Sequence, residues 1–172
     1  MALAAAFLAL ALLAQDAPAP AATAEGPVPA GAPSDDFGLV AWCHGALTGH
    51  MDLYSAVKPE LDKLSDDPTR ETLDQQQMAA GREYLDLYSR ALNAAERASP
   101  QGLAARGEAA RKQGSGIWGP AANATDPKTR MWSWLMWELP GRCETAARRL
   151  EEQATLAAPA LRGAEPEPAP AS

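Results

Sequence analysis

Apolar positions recur along this chain at helical spacing, and no segment keeps the strict alternation of a half-buried strand. The first predicted helix opens after Pro33, with Ser34 as its cap and Asp35 and Asp36 at the positive end of its dipole. One apolar stripe reads Phe37, Val40, His44, Leu47, Met51, Tyr54. An adjacent one reads Leu39, Cys43, Ala46, His50, Leu53, Val57. Together they make a broad buried face. Pro59 is expected to kink or end the helix near Val57.

Asp67-Pro68 is a cap followed by proline at the first helical position, and predicts a second helix running to about Ala98. Its inner face is Leu73, Ala80, Tyr84, Leu87, Tyr88, Ala91, Leu92 and Ala95. Arg82, Glu83, Asp86, Arg90 and Arg97 point outward, with Asp86 and Arg90 spaced for an ion pair. Ser99-Pro100 starts a third helix over 100–113. Its bulky apolar content is little more than Leu103, which places it at an edge. Residues 114–124 read as loop. Asp126-Pro127 starts a fourth helix over 127–138, and a fifth covers 141–157 with Cys143, Ala147, Leu150 and Ala154 on its inner face. The fold class is therefore all-α, an antiparallel four- to five-helix bundle over residues 34–161.

Both ends have a different character. Residues 1–14, "MALAAAFLALALLA", are apolar but shorter than the ~20 residues of a spanning helix, and resemble the core of a secretory signal peptide without its basic leader. Small-residue cleavage sites fall after Ala14 and at Ala17-Pro18-Ala19 or Ala19-Pro20-Ala21. Residues 15–33 are Ala-, Pro- and Gly-rich and read as a disordered linker. Residues 162–172, containing "GAEPEPAPAS", read as a disordered tail. No membrane span is expected once the leader is removed.

Charge and cysteine content refine this picture. The net charge is −7. Part of it lies in the tails, at Asp16, Glu25, Glu165 and Glu167, but the bundle itself stays acidic. That argues against nucleic acid, which selects basic patches. Cys43 and Cys143 are the two cysteines. In an exported chain such a pair is expected to form one intramolecular disulfide. The Ala- and Pro-rich composition points to a bacterium with a GC-rich genome, hence to a periplasmic or secreted protein in which the Asn123-Ala124-Thr125 sequon is idle.

The candidate chemistry is sparse. His44 and His50 lie six residues apart, about 120° around a helix, whereas a helical metal pair has a spacing of four. His44 with Met51, and Cys43 with His50, share a face but stand about 10.5 Å apart along the axis, against zinc–ligand bonds of about 2.0–2.3 Å. Partly buried histidines bonded to a carbonyl or carboxylate are the preferred reading. A metal or haem site using His44, His50 and Met51 is the alternative, and no cofactor is assigned. A hydrolase pairing His44 or His50 with Asp52 comes third, since no nucleophile motif accompanies it.

Two features suggest binding surfaces. Ala41, Gly45 and Gly49 form a stripe of small residues suited to close approach by another helix. The segment "RMWSWLMWELPG" carries Trp132, Trp134 and Trp137 on nearly every face of a short helix. These tryptophans, joined by Trp118, either fill an alanine-rich core or offer an aromatic surface to a sugar, peptide or partner helix. The expected function is an exported, non-enzymatic helical module that binds a protein or small-molecule partner, or serves a structural role in the cell envelope.

Overall fold

In the computed structural model the structure describes residues 26–64, 69–99 and 102–162. Among these the chain forms six helices and no strand. They are α1 (Asp36–Leu61), α2 (Thr69–Ala98), α3 (Leu103–Gly116), α4 (Gly119–Ala122), α5 (Pro127–Leu135) and α6 (Gly141–Arg162). The signal-like segment 1–14, most of the linker, the Asp67-Pro68 start and the tail from 163 lie outside the described residues. No described helix is long and apolar enough to cross a membrane.

α1 is the axis of the molecule. From Phe37 to Leu47 every residue but His44 is buried, so this stretch is enclosed on nearly all sides. That is what a helix apolar around its whole circumference should do. Its N-cap is Asp35 rather than Ser34, with Asp35 Oδ1 accepting from the Gly38 N–H at 3.0 Å. Pro59 does not break it. The helix continues to Leu61 because Val57 and Leu61, on either side of the proline, are both fully buried in a second core cluster.

Residue contacts fix the directions. Met51 lies over Gly81, and Tyr54 donates to Asp74, so α1 and α2 are antiparallel. Arg149 grips Asp36 with two bonds of 2.8 Å, and Cys43 is bonded to Cys143, so α1 and α6 are antiparallel as well. Phe37 faces Gly107 and Gly45 faces Arg111, which makes α1 and α3 parallel. Tyr84 donates to Glu144 and Arg90 to Glu151, which makes α2 and α6 parallel. The long helices thus alternate up and down along the chain.

The third helix corrects an expectation. Instead of sitting at an edge, α3 packs more extensively against α1 than any other element does. Gly107, Ala110 and Gly114 are its buried residues. A Cβ at Gly114 would overlap the Trp42 carbonyl oxygen, and one at Gly45 would overlap that of Arg111. Backbone meets backbone here, so little bulky side chain is needed. α3 also runs on to Gly116, and α4 follows at once, where a loop was expected. Its N-cap is Gly102, whose φ of 74° is left-handed, and Pro100 of the expected start lies outside the described residues.

Smaller departures have local causes. Leu73 is 57 % exposed and Ala80 is exposed, while Asp74 is buried and accepts from Tyr54 Oη at 3.2 Å. Arg90 pairs with Glu151 of α6 at 3.3 Å rather than with Asp86. α5 begins as expected, with Asp126 accepting from the Lys128 and Thr129 N–H groups, but ends at Leu135, ahead of Pro140. At the other end, residues 26–33 of the expected linker lie against the bundle through Val28 and Ala32.

Candidate functional site

Half-way along α1 the two core clusters meet, and His50 sits at the junction. Its imidazole is enclosed by three indoles. Trp134 stacks on it at 4.6 Å with the planes 5° apart, Trp137 lies at 4.7 Å and Trp118 at 5.2 Å. The tryptophans reach it from α5, from the turn after α5 and from the end of α3, so six-residue spacings on α1 say nothing about them. Two are pinned to the α1 backbone. Trp134 Nε1 donates to His50 O at 2.9 Å, and Trp118 Nε1 donates to Ala46 O at 2.7 Å. Both indole N–H groups are therefore satisfied inside the core, as buried donors require.

This answers which tryptophans are core. Trp118 and Trp134 are buried, Trp137 is half-buried, and Trp132 alone of the four is exposed, at 53 %. Of the two readings, core filling holds for Trp118 and Trp134, because α5 turns its Met131–Trp134 side to the end of α1. The small-residue stripe is likewise covered. Ala41 is fully buried, Gly45 meets α3, and a Cβ at Gly49 would come within 2.5 Å of Trp118 Cδ1.

The two histidines do not converge. His44 faces α2 and α3, with Nε2 3.2 Å from Ser89 Oγ and Nδ1 3.4 Å from Thr48 Oγ1. Thr48 donates its hydroxyl to the His44 carbonyl at 2.8 Å, so its oxygen is left to accept from Nδ1–H, and the Ser89 hydroxyl donates to Nε2. Burial, then the Arg111 guanidinium, hold the His44 pKa below its ordinary value. His50 is only 4 % exposed, and its Nδ1 has no hydrogen-bond partner. Burial alone pushes its pKa down to about 4, so the ring is neutral at pH 7. The expected carbonyl or carboxylate partner is thus absent at both histidines: hydroxyls serve His44, and indole faces surround His50. Asp52 is exposed and lines a shallow depression with Lys112 and Ser115, a different face from the indole-enclosed ring of His50. Among the described residues no three His, Cys, Asp or Glu side chains gather as a metal site. Cys43 and Cys143, with Cα atoms 6.0 Å apart, are joined in a disulfide, so neither is a free thiol.

Among the described residues, the apolar recess best suited to holding something is a cleft of about 290 Å³ beside His50, between α1, α2 and the turn that leads into α6. Leu47 and Met51 of α1, Met78 and Tyr84 of α2, and Trp137 and Leu139 form its walls, and the His50 ring reaches it from behind. The lining is mostly apolar with few polar groups, the usual constitution of a small-molecule site. The sequence singled out His50, Met51 and Trp137 separately, but not that they meet Met78, Tyr84 and Leu139 here, because the residues come from three separated segments. No family model, curated protein or solved structure matches this chain.

Proposed function

We propose that the protein is an exported, non-enzymatic helical module of the cell envelope, periplasmic or secreted, and that it binds a small partner in the α1–α2 cleft. The cleft carries this reading: an apolar recess of small-molecule size, bounded by α1, α2 and the turn that leads into α6, the helix that the Cys43–Cys143 bridge ties to α1. The disulfide and the signal-like residues 1–14 support export, since such bridges persist in oxidising compartments. The tryptophans support binding only through Trp137, because Trp118 and Trp134 are engaged with α1.

Fractionation of the source cells tests the location, and a neutral naphthylamine probe tests the cleft. The probe should brighten on binding, and Ala80→Trp, at an exposed α2 position on the cleft rim, should abolish the signal while leaving the melt unchanged. Equal brightening with Ala80→Trp would remove the cleft as the binding place.

A further inference from the structure

The cleft contains a set of donor atoms that a purely apolar site does not need. His50, Met51 and Met78 are all among its lining residues. His50 and Met51 are consecutive on α1. Met78 stands one helical turn before Gly81 on α2, and the Met51 sulfur lies over Gly81, where a Cβ would come within 2.9 Å of it. The missing side chain at 81 therefore brings one thioether down onto the α2 face that carries the other. The imidazole is nine-tenths buried and has a ring nitrogen without a partner.

The chemistry of these donors is selective. Zinc takes thiolate, imidazole and carboxylate, and calcium and magnesium take oxygen. Among the described residues no such group gathers, and both thiols are tied up in the disulfide. Thioether and neutral imidazole are soft donors, which suit Cu(I). All three are uncharged, so a bound monovalent ion brings a positive charge that, among the lining residues, Glu138 alone can balance. The Trp137 ring, which also lines the cleft, offers that charge an aromatic face.

We propose that the cleft binds a soft monovalent metal ion, Cu(I) or its analogue Ag(I), through His50, Met51 and Met78. This rests on the reading of the cleft as a binding site and names its ligand class. No electron transfer is involved; the ion enters and leaves in the same oxidation state.

The test uses the full chain with its disulfide intact, titrated with Ag(I) in chloride-free buffer and followed by tryptophan fluorescence. Cu(I) affinity is read anaerobically by competition with a chromogenic chelator. Wild type should bind one ion. Met51→Leu and Met78→Leu conserve volume and should keep the melt, yet each should weaken binding at least ~tenfold, a loss of about 1.4 kcal/mol. His44→Gln and Trp132→Phe should bind like wild type. Should the Met51→Leu/Met78→Leu double variant hold either ion as tightly as wild type, the proposal is overturned. If a methionine variant melts early, Ala80→Trp replaces it, and undiminished ion binding there overturns the proposal equally. A naphthylamine signal in the cleft with no Ag(I) binding sinks the metal and keeps the binding site; silence from both sinks both.

Discussion

Gly114 of α3 faces the carbonyl oxygen of Trp42 on α1 so closely that no Cβ fits between them. The contact is reciprocal one turn away, where Gly45 meets the Arg111 carbonyl. Neither obstacle is a side-chain tip that can swing aside, so any added atom must push two helix backbones apart. Gly45→Ala and Gly114→Ala should each destabilise by about 1–3 kcal/mol or more, and Gly45→Leu should lower the melting temperature further. Gly116→Ala has open space around it and serves as the control. Urea melts read all four; a neutral Gly114→Ala would mean the α1–α3 seam is looser than described.

His50 makes stability depend on pH. Its folded pKa is about 4, below the ordinary 6.5. Between these values the unfolded chain binds the proton and the folded chain does not. Stability from the neutral ring is therefore whole above pH 6.5 and is lost as pH falls towards 4, by about 3 kcal/mol in all. Three indoles lie against the ring and burial is the cause of the shift, so salt should matter little. Carboxylates titrate in the same region, so the readout is the difference between wild type and His50→Phe across the window. A difference that does not change with pH would contradict the neutral, enclosed imidazole.

The Cys43–Cys143 bridge spans 100 residues of sequence. A closure of that length restricts the unfolded chain by about 4–5 kcal/mol in the chain-entropy model. Reduction, or Cys43→Ala with Cys143→Ala, should shift the urea midpoint down strongly without changing helicity at zero denaturant. Titration of the unreduced native protein should find no reactive thiol; two thiols per chain would refute the bridge.

Of the five tryptophans, iodide should reach one class readily. Trp132 is that class, while Trp42, Trp118 and Trp134 are buried. Trp132→Phe should remove the quenchable component and alter stability by no more than about 0.5 kcal/mol. Trp134→Phe should cost more, because it removes the donor to His50 O and the ring stacked on the imidazole. Quenching that survives Trp132→Phe would place another indole at the surface.

Much of the architecture was legible in the residues. The two adjacent apolar stripes of α1 predict a helix with a broad buried face, and the structure encloses its Phe37–Leu47 stretch on nearly all sides. Asp126-Pro127 marks the start of α5, since the carboxylate satisfies N–H groups that the first turn leaves open. α3 was legible as a helix but not as a close partner of α1. Its contacts are made by glycine and by backbone, and hydrophobicity counts side chains. The expectation that something packs on Gly45 was met; that the something is α3 was not visible from either segment alone.

The candidate site lay further from view. His50 reads as one more position in an apolar stripe, and its indole surround is assembled from Trp118, Trp134 and Trp137, 68 to 87 positions along the chain. The cleft beside it needs Met51, Met78 and Leu139 to meet, and no local pattern encodes that meeting.

The sequence by itself determined the long helices and most of their ends, because propensity, capping and periodicity act between residues a turn or two apart; the disulfide followed from there being two cysteines in the chain. Tertiary structure alone decided which tryptophans are core, which elements fill the glycine stripe, and that His50, Met51 and Met78 share one cleft. Those outcomes depend on how far apart the backbones stand, and that distance is set by the sum of contacts across the whole bundle rather than by any stretch of it.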